Sequence, residues 1–323
     1  MRIVIPDNAP PMYPPAGHPS LRALERLGEV TLISEPGAND AGTLVQRLAG
    51  ATVAVNVRAY ARFTAEVLGR LPDLRHVAII GTGTDNVDLV AATAQGVVVT
   101  NTPGVTRRSV AEHALALLFA CARNIPRHDQ TVRAGDWRHH PGRELHGKTA
   151  GVVGLGVIGQ EFAKLAVALG LRVIAWSPRH DPARAAACGA ELRELDHLYA
   201  EADIVSLHVR STPQTRQLVN ASALAKMRDG VILINTARGA LIDDVALVAA
   251  LRSGKVAMAG LDVFDPEPLP PGHPFRELPN VVLTPHAAIA TPEANDALLD
   301  AVAANIANWA AGRPGSVVNP RAR

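Results

Sequence analysis

Short apolar runs rich in β-branched residues alternate with helix-length amphipathic stretches along the first hundred residues. Residues 3–5, 30–33, 52–57, 77–80 and 97–100 have the length and composition of buried strands, while 41–49 and 65–71 place apolar residues at helical spacing. That alternation predicts an open parallel α/β sheet. Residues 109–123 form an Ala/Leu-rich helical pattern, for which Ser109 is the expected N-cap and Glu112 the partner completing a capping box. The second half repeats the alternation with apolar runs at 151–153, 172–176, 203–207, 231–234, 256–261 and 281–283. Six strands are therefore expected there. A helical pattern over 292–311 follows the last of them, and the proline-rich stretch Asp265-Pro266-Glu267-Pro268-Leu269-Pro270-Pro271 reads as a rigid loop.

The join between the first of those strands and its helix is the sequence Gly154-Leu155-Gly156-Val157-Ile158-Gly159. Strand, glycine turn and helix in that order make a dinucleotide fingerprint: the first glycine permits the tight turn, the second lets backbone approach a pyrophosphate, and the third lets helix pack on strand. Phosphates would then meet free amides and the positive end of the helix dipole. Because the motif begins midway along 323 residues, another domain precedes it.

Composition narrows the classes. Apolar residues make up 48% of the chain, yet no run reaches the ~20 residues of a membrane span. The first residues, Met1-Arg2-Ile3-Val4-Ile5-Pro6, lack the apolar core of a signal peptide, so a cytoplasmic protein is expected. The net charge is +2 with dispersed basic residues, and aromatic content is 3%, which argues against a nucleic-acid partner. Cys121 and Cys188 and the histidine pair His139-His140 have no metal-ligand spacing. No metal is expected.

Ligands of doubly wound sheets lie outside the carboxyl ends of the strands. Polar residues stand at those ends throughout the second half: His208, Asn235-Thr236-Ala237-Arg238-Gly239, Asp262 and Thr284-Pro285-His286. Asn101-Thr102-Pro103-Gly104, Val110-Ala111-Glu112-His113, Gly147-Lys148-Thr149-Ala150-Gly151-Val152-Val153-Gly154-Leu155-Gly156, Asn235-Thr236-Ala237-Arg238-Gly239, Leu261-Asp262-Val263-Phe264 and Thr284-Pro285-His286 resemble the D-isomer-specific 2-hydroxyacid dehydrogenase family, in order, over about residues 50 to 295. The resemblance implies two doubly wound parallel-sheet α/β domains. A Rossmann cofactor domain, 101–290, would be inserted in a flavodoxin-like substrate domain, 1–100 and 291–323. It also implies a homodimer joined mainly through the cofactor domains, and NAD(P)-dependent hydride transfer between a small 2-keto acid and its D-2-hydroxy acid.

The family's catalytic trio maps onto Arg238, Glu267 and His286, and the chemistry asks for those residue types. An alkoxide left by hydride transfer needs a proton from a group titrating near neutrality, as imidazole does. A carboxylate beside an imidazole favours its charged form. A planar guanidinium can grip a carboxylate or carbonyl oxygen in two-pronged fashion. By resemblance the cofactor would contact Thr82, Gly154, Gly156, Val157, Ile158, Gly159, Ser177, Arg179, His208, Val209, Thr236, Ala237, Arg238, Asp262 and His286, with Asp262 holding the nicotinamide carboxamide. Substrate would meet Arg58, Tyr60, Gly81, Thr82, Gly83, Arg238 and His286. The glycines of Gly81-Thr82-Gly83 could also aim free amides at a carboxylate.

One position sets the expected cofactor. NAD enzymes place an acid after the second strand for the ribose hydroxyls. Here that strand runs into Ser177-Pro178-Arg179-His180, so a hydroxyl and a guanidinium stand where a 2′-phosphate would lie, and NADP(H) is expected over NAD(H). The alternative has Asp181 reaching the ribose. Ala59, Ala61, Arg210 and Ala288 depart from the family pattern and leave the substrate side chain open between glyoxylate, hydroxypyruvate and a 3-phosphoglycerate-type acid. Formate- and phosphite-oxidising relatives carry glutamine and lysine where Glu267 and Thr82 stand. A non-catalytic, nucleotide-sensing protein of corepressor type is the competing class, although no peptide cleft or partner tail is legible.

Overall fold

A computed structural model describes residues 1–9, 11–14, 17–57 and 61–319. The chain divides into two compact units, Met1–Thr106 with Ala290–Arg323, and Arg107–Ile289.

The first unit begins β1 (Arg2–Ile5), α1 (Pro19–Glu25), β2 (Glu29–Leu32), α2 (Ala41–Leu48), β3 (Val53–Asn56), α3 (Ala65–Gly69), β4 (His76–Ile79), α4 (Leu89–Ala94) and β5 (Val98–Thr100). Its sheet runs β2-β1-β3-β4-β5, all parallel. This is the flavodoxin-type order. The helices start where the sequence supplies an acceptor: Asp40, Thr64 and Asp88 each take a backbone N–H of the first turn. Val4, Ala54, Val77, Ile79 and Val99 form one buried face with Leu44, Leu48, Phe63 and Leu68.

The second unit contains α5 (Arg107–Ala122), α6 (Ile125–Arg133), β6 (Thr149–Val153), α7 (Val157–Ala168), β7 (Arg172–Trp176), α8 (Pro182–Ala186), β8 (Ala190–Leu192), α9 (Leu195–Glu201), β9 (Ile204–Leu207), α10 (Ala221–Lys226), β10 (Val231–Asn235), α11 (Asp244–Ser253), β11 (Val256–Leu261) and β12 (Val281–Leu283). The strands lie in the order β12-β11-β10-β9-β6-β7-β8, all parallel. Both faces of the sheet are covered. Val153, Val205, Leu207 and Leu233 pack on Leu198, Leu247 and Phe275, whereas Val152, Ile204, Ile232 and Ile234 pack on Leu118 and Phe162. Two-sided burial is why these strands read as unbroken apolar runs. The last helix, α12 (Pro292–Ala310), belongs to the first unit, where Ser20 Oγ donates to Asp300 Oδ1 at 2.5 Å and the Trp309 ring lies 4.9 Å from His76.

Two expectations are corrected. The second sheet has seven strands: β8, Ala-Glu-Leu, offers one exposed acid between two apolar residues and is too short to announce itself. Helix α5 starts at Arg107, so Ser109 lies inside its first turn rather than capping it, and Glu112 is exposed. The Ser109 hydroxyl donates instead to Ala288 O at 2.7 Å. No helix among the described residues is long and apolar enough to cross a membrane.

Candidate active site

The carboxyl ends of β6, β9, β10, β11 and β12 carry the polar residues of the second unit. At β6 the glycines interlock with the protein itself. A Cβ on Gly154 would sit 2.6 Å from Val209 N and 2.7 Å from His208 C, so the strand-end turn lies directly against the backbone that follows β9. Gly154 also has φ of 103°, which excludes most side chains. A Cβ on Gly159 would overlap the Gly154 carbonyl oxygen, whereas one on Gly156 would meet nothing within 4 Å. Gly156 is the N-cap of α7 with no side chain to satisfy the first-turn amides. Open room above uncapped amides at the positive end of a helix is a cradle for phosphate.

His208 follows β9 with its Nε2 2.9 Å from Ser206 Oγ and its ring 5.0 Å from that of Phe162. Burial pulls its pKa down to about 3, so the ring is neutral at working pH. After β10, Asn235 folds its own loop: Oδ1 accepts from Ala237 N at 3.0 Å and Nδ2 donates to Arg238 O at 2.9 Å. Thr236 Oγ1 is buried with no hydrogen-bond partner among the described residues. Next in the chain, Gly239 packs so tightly on the backbone of Phe264 and Asp265 that a Cβ there would overlap both. That contact brings the Arg238 loop against the proline-rich loop.

Glu267 lies in that loop between cis peptides at Asp265–Pro266 and Glu267–Pro268. Its Oε1 accepts from Phe264 N at 3.0 Å, and its Oε2 lies 2.8 Å from His286 Nδ1. The carboxylate thus anchors to its own loop with one oxygen and takes the imidazole with the other. With Nδ1 taken by an acceptor, Nε2 is the ring nitrogen left for a further partner, on a side chain 34% exposed. His286 has φ of 54°, the left-handed region, and its N–H donates to Asp262 O at 2.8 Å. A non-glycine residue is held there only by its surroundings.

Asp262 follows β11. Its side chain is fully buried, and both oxygens are spent on the protein: Oδ1 accepts from Thr284 Oγ1 at 2.6 Å and Ala287 N at 2.7 Å, Oδ2 from Ala288 N at 3.1 Å. Burial raises its pKa, but the bonds from His113, Thr284 and Ala287 outweigh that and leave it below the usual carboxylate range. His113 of α5 completes the set, with Nε2 3.3 Å from Asp262 Oδ1 and 3.0 Å from Thr284 Oγ1. Sequence reasoning assigns His113 no role of its own. Its spacing of four from Ser109, one face of one helix, is the signal that was available.

Beyond β7, Trp176, Ser177, Pro178, His180, Leu192, Arg193 and Glu194 line a cavity of about 200 Å³. Arg179 is exposed beside it. Asp181 is engaged elsewhere: it caps α8 through Arg184 N at 3.0 Å and pairs with Arg184 Nε at 3.3 Å. In the first unit, Gly81 has φ of 121°, its N–H donates to Thr102 Oγ1 at 2.8 Å, and Asn101 Nδ2 donates to Thr82 O at 2.7 Å. Gly83 lies in the same loop. Arg58 and Tyr60 lie outside the described residues.

An open parallel sheet with a glycine cradle at its first turn, a neutral histidine, an amide-folded loop and a carboxylate–imidazole pair defines a dinucleotide-binding domain of the dehydrogenase type. Residues 115–288 match the family model for the NAD binding domain of D-isomer specific 2-hydroxyacid dehydrogenases. A D-3-phosphoglycerate dehydrogenase of Archaeoglobus fulgidus is 43% identical over 81% of this chain and 50% of its own length. The chain spans about half the length of that protein and of its mycobacterial counterparts. A glyoxylate reductase of Thermococcus litoralis is 38% identical over 93% of both chains. Among solved structures, the TT0316 protein of Thermus thermophilus superposes with a TM-score of 0.88 at 39% identity, covering 98% of this chain and 100% of that one. An acyclic imino acid reductase in complex with NADPH and D-Arg gives 0.87 at 29% identity, over 98% and 100%. The chain belongs to the D-isomer-specific 2-hydroxyacid dehydrogenase family.

Proposed function

We propose that the protein is an NADP(H)-favouring oxidoreductase that interconverts a small 2-keto acid, such as glyoxylate or hydroxypyruvate, and the D-2-hydroxy acid. The observation that carries this reading is the 2.8 Å pair of His286 Nδ1 and Glu267 Oε2, beside the loop that bears Arg238. The nicotinamide ring, when bound, supplies or accepts the hydride. Arg238 grips the carboxylate or carbonyl oxygen of the substrate and fixes its orientation. His286 delivers a proton from Nε2 to the oxygen that becomes the hydroxyl, and takes it back in the oxidative direction. Glu267 accepts the Nδ1 hydrogen bond, fixing the tautomer and ring orientation so that Nε2 serves the reacting oxygen.

The phosphates are assigned to the cradle at Gly154, Gly156, Val157, Ile158 and Gly159, and the remaining cofactor contacts to Thr82, His208, Val209, Thr236, Ala237, Arg238, Asp262 and His286. The unpartnered Thr236 hydroxyl suits a ligand acceptor. Substrate contacts are assigned to Arg58, Tyr60, Gly81, Thr82, Gly83, Arg238 and His286. Ser177 and Arg179 would take the 2′-phosphate, a reading supported by the commitment of Asp181 to α8 and by the NADPH held in the imino acid reductase. Glu194, on the wall of the same cavity, is the carboxylate that opposes it.

The test is oxidation of NADPH and of NADH against keto acids of graded size. A larger kcat/KM for NADPH supports the cofactor assignment, and equality or an NADH preference overturns it. His286→Ala should abolish turnover with nucleotide binding retained. NADH-dependent turnover confined to a phosphorylated acid would favour the 3-phosphoglycerate-type reading, which the 49–50% identity of mycobacterial relatives supports.

We also propose a homodimer through the second unit, because Phe119, Ile125, Val132 and Trp137 expose large apolar surface on α5, α6 and the loop beyond. Sedimentation of an Ile125→Asp/Val132→Asp variant should show monomer. Free, buried Cys121 and Cys188 suit a reducing compartment such as the cytoplasm.

A further inference from the structure

Helix α5 grips the segment after β12 at two levels one helical turn apart. Ser109 Oγ donates to Ala288 O at 2.7 Å, and four residues further His113 Nε2 lies 3.0 Å from Thr284 Oγ1 and 3.3 Å from Asp262 Oδ1. Residues i and i+4 share one helical face, so a single rigid element makes both contacts. Between those levels sits His286, whose own backbone is tied to Asp262 O and whose φ of 54° is costly for a side chain with a Cβ. Asp262 therefore holds the turn from both its main chain and its side chain: it takes the N–H groups of His286, Ala287 and Ala288 and the hydroxyl of Thr284. His113 touches neither the imidazole of His286 nor Glu267 in any described contact.

We propose that His113 is a positioning residue, acting through Asp262 and Thr284 to hold the 284–288 turn in the one geometry that lets His286 meet Glu267. The physical reason is the cost of the carboxylate. Asp262 is fully buried, and a buried anion stays ordered only while its donors are complete. Removing the imidazole takes from Oδ1 a neighbour at 3.3 Å and from Thr284 Oγ1, which itself donates to Oδ1, its partner at 3.0 Å. The carboxylate then regains donors by drawing the 284–288 amides toward itself or by admitting water, and either response moves a backbone already in a strained region. Because the Nδ1–Oε2 contact is a single 2.8 Å bond made from that backbone, small displacement is enough to lose it.

This inference rests on the reading of His286 as the acid–base residue. It is tested in the full-length protein with His113→Ala, His113→Gln and His286→Ala, measuring kcat and KM for glyoxylate with NADPH, the Kd of NADPH by fluorescence, and amide hydrogen exchange of residues 284–288. In His113→Ala we expect kcat to fall by about tenfold to a hundredfold, the scale of a mispositioned catalytic group. KM and the NADPH Kd should stay within about twofold, and the 284–288 amides should exchange faster. His113→Gln, whose side-chain nitrogen takes the place of Nε2, should recover most of kcat. Retention of wild-type kcat in His113→Ala overturns the proposal, as does a loss of NADPH affinity that matches the loss of kcat, or a fall in kcat that glutamine does not restore. His286→Ala separates the two levels: wild-type turnover there overturns the acid–base reading itself. Its loss alongside full turnover in His113→Ala overturns only the positioning role.

Discussion

Each unit places a glycine loop after a parallel strand, and the two loops are held by opposite means. At the end of β6, Gly154 and Gly159 are pressed against backbone, so the absence of a side chain is a steric demand of the fold. After β4, Gly81 has nothing within 4 Å of where a Cβ would stand; only its φ of 121° calls for glycine, and hydroxyl and amide groups of Thr102 and Asn101 tie the loop down. One loop is an interlocked joint and the other a laced one. In the fingerprint, moreover, two of three glycines serve the protein's own packing, and Gly156 alone faces open room.

The largest expected effect comes from breaking the joint. Gly159→Ala should destabilise the second unit by about 3 kcal/mol, the scale of overpacking against an unyielding partner, and thermal melts should show it without ligand. Gly156→Ala should leave the melt unchanged and weaken binding of the nicotinamide nucleotide by about tenfold, or ~1.4 kcal/mol, because the methyl occupies the backbone's approach to phosphate. An equal loss of stability in both variants would erase the distinction between packing and ligand glycines.

Acid probes the two units in parallel. His76 in the first and His208 in the second both have pKa values pulled down to about 3 by burial. An unfolded histidine binds its proton near 6.5, so the folded state binds fewer protons between those values. Stability is whole above about 6.5 and declines as pH falls toward 3, by ~1.4 kcal/mol for each histidine per unit of pH. Melts at pH 7 and 5.5 should show the decline, and His76→Leu should flatten it by the share of the first unit. The smallest effect belongs to the laced loop: Gly81→Ala should cost about 1 kcal/mol through its φ alone, and under the proposed substrate role of this loop KM should rise more than nucleotide affinity changes.

Strand positions are legible in the chain because burial on both faces strips polar residues from a parallel sheet, leaving runs such as 231–234 and 256–261 that need no partner to be recognised. β8 is not, since an edge strand with one exposed acid carries too little apolar signal. The residue types at the strand ends are equally plain, and the family resemblance singles out Glu267 and His286, which the structure brings to 2.8 Å of each other. What holds them cannot. The burial of Asp262 depends on Thr284, Ala287, Ala288 and α5 converging on one carboxylate, a meeting of segments about 150 residues apart. The start of α5 is hidden for a related reason: Ser109 looks like a cap because its long-range acceptor, Ala288 O, leaves no trace near it in sequence.

That same hydrogen bond lies close to both the beginning and the end of the second unit, so the 107–289 stretch enters and leaves through a single gate. A stretch closed in this way is a cassette. It can be carried inside a loop of another fold without prising that host apart, and its termini can be joined and reopened at a surface turn with little change to the nucleotide cradle.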